Sequence, residues 1–347
     1  MHIAILVLLF IALIILIAVM AGVMISGPKY RGPRSDHFDG SRFINPENVK
    51  AKGGMEVFKW MMNRKPGPWK ENTMAEFGKR PLGHFSDGIR VTFVNHSTFL
   101  IQVDGMNILT DPVWSKRVSP YRWIGPKRMR PPGIRMGDLP RIHLVLLTHN
   151  HYDHLDIETM RVIFGAHHPQ IVTPLGVKKF LDENYIPDAR QVDWWEEVEA
   201  GKVKIQAVPA QHFSGRGMFD RDATLWCGYV IRTSAGNIYF AGDTGYNEVT
   251  FKEIGSKCAP LKLSFVPIGA YKPGWFMSPI HVSPEEAVKI HQDVGSPRSI
   301  AMHFGTFPLA DDGSDDPVTD LRLAAAKYKI TDESFLVLKE GEAVVFE

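Results

Sequence analysis

The stretch Leu144-Val145-Leu146-Leu147-Thr148-His149-Asn150-His151-Tyr152-Asp153-His154-Leu155-Asp156 decides how this chain is read. Its first four residues form an unbroken apolar run, the pattern of a strand covered on both faces. The run delivers three histidines and an aspartate within six residues, from His149 to His154. In extended backbone, side chains at i and i+2 point the same way, so His149 and His151 can grip one ion. Asp153 and His154 follow a change of direction and are better placed for a second. Asp156 then stands where a helix through Ile157-Glu158-Thr159-Met160 needs an N-cap. A lone histidine in a strand-end loop is usually a packed or solvated residue, but that does not explain so dense a set of donors. Imidazole and carboxylate without thiolate suit zinc, and manganese or iron are compatible with the same donors.

His149-Asn150-His151-Tyr152-Asp153-His154 resembles the HxHxDH signature of the metallo-β-lactamase fold. Further donors stand at strand ends downstream. Gln211-His212 follows the strand-like 203–209, Asp243 closes Ile238-Tyr239-Phe240-Ala241-Gly242-Asp243-Thr244, and His303 ends Ser299-Ile300-Ala301-Met302-His303. Strand ends are where layered α/β proteins place their sites.

The resemblance narrows to the N-acyl-phosphatidylethanolamine-hydrolysing phospholipase D branch. Pro209-Ala210-Gln211-His212, His303-Phe304-Gly305-Thr306-Phe307 and His281-Val282-Ser283-Pro284-Glu285-Glu286-Ala287 carry it. So do Asp36-His37-Phe38-Asp39-Gly40 and Arg42-Phe43-Ile44-Asn45-Pro46, and the likeness runs from about Tyr30 to the C-terminus.

What the resemblance implies is an αββα sandwich holding two zinc ions. His149, His151 and His212 would hold one ion, Asp153, His154 and His303 the other, with Asp243 bridging. Two such ions about 3.5–4 Å apart share a water and lower its pKa from about 16 towards 7. The bridging hydroxide would then release N-acylethanolamine and leave phosphatidic acid. His281 matches a family position near the substrate, where it would orient a phosphate oxygen or assist the leaving group. A helix-entry residue is the structural alternative. The related ascorbate-phosphate lactonase-like branch keeps a lactone or a soluble phosphate ester open as the substrate. A non-catalytic membrane scaffold of this fold would have lost ligands, and none is missing. No G-x-S-x-G elbow offers a serine nucleophile.

The rest of the chain fits around this centre. Its 347 residues carry a formal net charge of +2, which gives no reason to expect a nucleic-acid partner. Cys227 and Cys258 cannot build a disulfide framework, and Cys227 reads as core filling. Ile3 to Ile25 is uncharged and long enough to cross a bilayer core, so residues 1–26 are expected to be a single-pass transmembrane anchor. Lys29, Arg31 and Arg34 follow the span and no Lys or Arg precedes it, which puts the catalytic domain on the cytoplasmic side. Residues 27–85, rich in Pro, Gly and basic groups, are expected to be a juxtamembrane arm packed on the hydrolase domain of 86–347. Within the arm, Met55 to Met62 with Trp60 reads as a short amphipathic helix, and Asp36 to Phe43 as ordered structure rather than a second metal site.

Strands are expected at 91–94, 98–103, 106–110, 142–148, 170–173, 203–209, 225–232, 237–242, 262–267, 299–304, 335–338 and 342–346. Helices are expected at 157–165, 175–184, 246–253, 283–293 and 317–328. Ser283 caps the fourth of these, with Glu286 three residues on. Asp111 is either an acceptor for a ligand histidine or a turn aspartate before Pro112, and His96 is either structural or adjacent to the site. Residues 112–136 combine Trp114, Tyr121 and Trp123 with seven Lys and Arg and read as a membrane-facing, phosphate-attracting lip. Phospholipid and membrane are the partners implied, with a homodimer left open.

Overall fold

Leu144 and Leu146 pack between two sheets while Val145 and Leu147 pack beneath outer helices, so the apolar run serves two layers at once. The computed structural model describes residues 2–72 and 77–347. Two helices precede the sheets, α1 (His2–Ile25) and α2 (Gly54–Met62).

The first sheet opens as an antiparallel meander of β1 (Ile89–Asn95), β2 (Thr98–Val103) and β3 (Met106–Thr110). It continues in parallel through β4 (Leu144–Leu146), β5 (Gln170–Pro174) and β6 (Arg190–Val192). The second sheet repeats the plan. β7 (Glu197–Ala200), β8 (Val203–Val208), β9 (Gly228–Thr233) and β10 (Gly236–Phe240) form the meander. β11 (Leu261–Pro267), β12 (Ser299–Met302) and β13 (Phe335–Leu336) then run parallel to β10. The last strand, β14 (Ala343–Phe346), returns to pair with β1, so each sheet has seven strands.

Parallel neighbours need crossovers, and these supply the outer layers. α3 (Ile157–His167) and α4 (Val177–Glu183) cover the first sheet, with Met160, Ile163, Val177 and Leu181 buried against Leu109 and Val145. Over the second sheet lie α5 (Glu248–Cys258), α7 (Pro284–Asp293) and α8 (Asp316–Tyr328), with the short α6 (Gly274–Met277) between β11 and α7. The architecture is the αββα sandwich expected from the sequence. Asp156 accepts from the Thr159 N–H at the start of α3. Ser283 and Glu286 close a full capping box on α7.

Some elements depart from the expected bounds for physical reasons. The strand expected at 225–232 joins the ladder only at Gly228, because the N–H groups of Leu225 and Cys227 are spent on Leu175 and Thr148 of the opposite layer. The helix expected at 246–253 starts after Asn247, which caps it, and runs on to Cys258. β6 and β7 were not expected. β6 is three residues long, and β7 reads Glu-Val-Glu-Ala, too short and polar to signal a strand.

α1 lies outside the sandwich, almost wholly exposed, and is long and apolar enough to cross a membrane. Its foot is tied down: Gly27 donates to Asp220 at 2.8 Å and the Phe219 N–H donates to Ser26 Oγ at 3.1 Å. The arm then buries Phe38 and Phe43 against Ala210, Leu225 and Trp226. α2 is apolar on two sides. Val57 and Trp60 turn inward to Phe276, Ile280 and Leu309, while Met55, Phe58, Met61 and Met62 are exposed.

Candidate metal centre

Parallel pairing carries the C-terminal ends of β3 and β4 to one edge, and the ends of β10, β11 and β12 meet them from the second sheet. Every sequence-predicted donor lies at that edge.

His149, His151 and His212 form one group. His149 Nε2 is 2.9 Å from His151 Nδ1, which is 3.2 Å from His212 Nε2. Ligand nitrogens about 2.0–2.1 Å from a tetrahedral ion stand about 3.3 Å apart, close to this spacing. The outward nitrogens are fixed. His149 Nδ1 meets Thr148 Oγ1 at 2.9 Å, and His212 Nδ1 donates to the Ile280 carbonyl at 2.8 Å.

Asp153, His154 and His303 form the other group. Asp153 Oδ2 is 3.5 Å from His154 Nε2 and 3.4 Å from His303 Nε2. Asp243 sits between the two groups. Its Oδ2 is 3.0 Å from His303 Nε2, 3.2 Å from His154 Nε2 and 3.8 Å from His212 Nε2. His281 reaches the same carboxylate, Nδ1 to Oδ2 at 3.9 Å, and so joins the cluster.

The open alternatives at Asp111 and His96 resolve. Asp111 Oδ2 accepts from His154 Nδ1 at 2.8 Å and from Thr148 Oγ1 at 2.7 Å, while Oδ1 accepts from the Thr148 N–H. It orients His154. His96 lies in the β1–β2 turn with its ring 4.0 Å from that of His303 and Nε2 3.1 Å from Asp153 Oδ2.

The protonation pattern suits cations. Burial pushes His149 and His212 well below the usual imidazole range and His151 down to about 4, so these rings present lone pairs. Burial works against charge on Asp153 and Asp243 too, but the adjacent His154 and His303 hold both carboxylates well below their usual range. For His154 the desolvation is outweighed by Asp243, Asp153 and Asp111, which raise it well above the ordinary value. His303 rises to about 9, mainly through Asp243, against the pull of burial. His154 and His303 thus hold protons that a metal would replace. His154 Nε2, His303 Nε2 and Asp243 Oδ1 are buried without a hydrogen-bond partner, although opposite charges surround them. Divalent cations bound by these residues would satisfy such atoms, so the donor set fits metal.

Sequence reasoning missed the supports of this cluster. Asn45 Oδ1 accepts from the His212 N–H at 2.8 Å and from Trp226 Nε1 at 2.9 Å, and Asn45 Nδ2 donates to the His212 carbonyl at 2.7 Å. Arg216 Nη1 donates to the carbonyls of Asn150 and Leu155, and its guanidinium lies 3.8 Å from the Tyr152 ring centre. Tyr152 therefore supports the loop. Nothing local marks Arg216; only the phrase around Asn45 carried a family signal.

Comparison with known proteins gives the family. The model of the beta-lactamase superfamily domain matches residues 106–304, and the chain belongs to that superfamily as a metal-dependent hydrolase. Its sequence relatives include N-acyl-phosphatidylethanolamine-hydrolyzing phospholipase D 1 of Caenorhabditis elegans, 38% identical over 272 residues, 75% of this chain and 76% of that one. An uncharacterized protein of Mycobacterium tuberculosis is 40% identical over 248 residues, 70% of this chain and 66% of its own length. A metallo hydrolase from the archaeon Ignicoccus hospitalis shares the fold, with a TM-score of 0.57 at 22% identity over 75% of this chain and 99% of that one.

Proposed function

We propose that this chain is a membrane-anchored phosphodiesterase that hydrolyses N-acyl-phosphatidylethanolamine-type phospholipids, releasing N-acylethanolamine and leaving phosphatidic acid. The observation that carries the reaction type is Asp243 Oδ2, which stands within 3.8 Å of nitrogens from both groups of ligands. A carboxylate there could be shared by two ions. His149, His151 and His212 would hold the first, Asp153, His154 and His303 the second. Bound there, zinc, manganese or iron would supply Lewis acidity, making water nucleophilic near neutral pH and offsetting phosphoryl charge.

The protein's own groups set the rest. Asp111, Thr148, Asn45 and the Ile280 carbonyl keep the imidazoles in one orientation. His281 faces the cluster with Nδ1 and also lines a surface cavity with Tyr271, Trp275 and Glu286. It can carry a proton between solvent and the leaving alkoxide of the ethanolamine arm.

Three features favour a lipid. α2 exposes Met55, Phe58 and Met62 on one stripe and packs its other side near the metal centre. The 112–136 strap exposes Trp123 and Ile124. A cavity of about 660 Å³ joins that strap, through Lys116, Arg117 and Arg122, to Met24 and Ile25 at the foot of α1. Apolar groups flanked by cations beside an apolar helix suit an anionic lipid surface. By the excess of Lys and Arg after α1, the catalytic domain lies on the cytoplasmic side.

The test is an assay of the purified full-length chain on N-acyl-phosphatidylethanolamine vesicles, soluble lactones and soluble phosphate esters. Release of N-acylethanolamine with phosphatidic acid is expected. Turnover confined to the soluble compounds overturns the lipid assignment and leaves a metal-dependent hydrolase of another substrate.

A further inference from the structure

Among the described residues, His96 is the one histidine near the cluster that comes from neither the loops carrying the clustered donors nor the helix entry at His281. It sits in the turn between β1 and β2, with φ +50, a left-handed backbone that a β-turn ordinarily assigns to Gly, Asn or Asp. Its backbone is held at both ends by the loop after β12. The His96 N–H donates to Thr306 Oγ1 at 3.0 Å, and the His96 carbonyl accepts from the His303 N–H at 2.8 Å. The ring is buried, 4.0 Å from the His303 ring and edge-on to Phe307. Nε2 makes a hydrogen bond of 3.1 Å to Asp153 Oδ2, while Nδ1 is buried without any partner.

From this geometry we infer that His96 is a positioning residue for the second ion: its Nε2–H donates to Asp153 and fixes which carboxylate lone pairs face the metal. The inference rests on the dinuclear reading above. Direct ligation is the alternative, since His96 groups with Asp153, His154 and His303, and the partner of Nε2 decides. His96 Nε2 is hydrogen-bonded to Asp153, whereas His154 Nε2 and His303 Nε2, 3.5 and 3.4 Å from the same oxygen, have no hydrogen-bond partner and are left for an ion. A neutral imidazole carries one N–H. If Nε2 bound an ion, its hydrogen bond to Asp153 would be lost and the proton would sit on Nδ1, which has no acceptor. With the proton on Nε2, the donor is satisfied and only a bare lone pair goes unused. One residue of the first sheet thereby joins the two ligands that reach the second ion from different sheets, Asp153 after β4 and His303 after β12.

The experiment is a stepwise cobalt titration of the metal-stripped full-length protein, read by calorimetry and visible absorption. His96→Ala should leave the first equivalent unchanged and weaken the second about 10–100-fold, the usual effect of losing a partner to a metal ligand. His96→Gln, which keeps an N–H donor of similar reach, should recover most of that loss. Turnover of His96→Ala should be low at limiting metal and return with excess metal. Nitrogen NMR of the metal-loaded wild-type protein should show the Nε2–H tautomer at His96, a readout that needs no variant to fold. A second equivalent bound normally by His96→Ala overturns the inference, as does an Nε2 resonance shifted by direct coordination. A wild-type chain that takes up only one ion would overturn the dinuclear reading itself, and the titration separates the two failures because no substrate is used.

Discussion

The floor of the site and its margin are built on opposite principles. On the floor, imidazoles and carboxylates are withdrawn from water and held by fixed partners: Asp111 on His154, Asn45 on His212, Thr148 on His149. At the margin, α2, the 112–136 strap and the loop carrying Met218 and Phe219 leave large apolar side chains in solvent. Burying polar groups is costly unless each is satisfied, so the floor tolerates almost no change. Exposing apolar groups costs little in the fold and serves a surface that meets another apolar phase. The contrast predicts that chemistry fails by substitution on the floor and that substrate delivery fails by substitution at the margin.

The largest effect belongs to Asp243. Asp243→Ala removes the carboxylate that faces both groups of imidazoles and leaves the stacked rings of His154 and His303, 5.4 Å apart, without the anion between the two groups. Turnover should drop by about 10³-fold or more, several kcal/mol of lost stabilisation. Metal content, by elemental analysis of the purified variant, should fall below one ion per chain. Full occupancy with full activity would remove the shared-carboxylate mechanism.

Asn45 tests whether the arm belongs to the floor. Asn45→Ala deletes two hydrogen bonds to the His212 backbone, one to Trp226 and one to the Val49 carbonyl. Affinity at the three-histidine group should weaken about 10-fold, as for other partners of metal ligands. Stability should fall by about 1–3 kcal/mol, because the His212 N–H is left buried without an acceptor. A competition titration with a chelating dye and a thermal melt would check both. An unchanged titration would return the arm to the margin.

This residue also shows what the sequence can and cannot reveal. The clustered donors were legible because each follows a strand whose apolar pattern is itself legible, and because four of them crowd into His149 to His154. Asp111 was half legible: the turn was evident, but its contact with His154 spans 43 residues. Asn45 reaches His212 across 167 residues, and Arg216 clamps the carbonyl of Asn150 across 66, so neither leaves a local signature. The two-sided apolarity of α2 was visible only as amphipathicity, since composition cannot tell which face finds a partner. β6 and β7 escaped because edge strands need little hydrophobic pattern.

At the margin, Phe58→Glu and Met62→Glu should leave metal content and turnover of a soluble ester unchanged. On vesicle substrate, KM should rise about 10-fold or more, since burying one such side chain in an apolar phase is worth about 1.5–3 kcal/mol. Equal loss on soluble and vesicle substrates would show that α2 acts on the floor instead, through Trp60 and its stack on Phe276.

The smallest effect concerns the seam between the two regions. His37, in the arm, is bound at Nε2 by Asp193 at 2.7 Å and at Nδ1 by Asp36 at 2.6 Å, with its ring stacked 4.4 Å from Trp194. Burial opposes the charged ring, but the hydrogen bonds to Asp193 and Asp36 outweigh it and raise the pKa above 6.5. A group whose pKa is higher folded than unfolded stabilises fully below the unfolded value and loses that contribution as pH rises through the folded value. The arm should therefore be held most firmly below pH 6.5 and should loosen as pH climbs past that point. Hydrogen exchange across residues 35–44 at pH 6 and pH 8.5, corrected for the intrinsic rate, should show less protection at the higher pH, and His37→Gln should remove the difference. The same pH dependence in His37→Gln would assign the loosening to another group and leave the seam without a titrating latch.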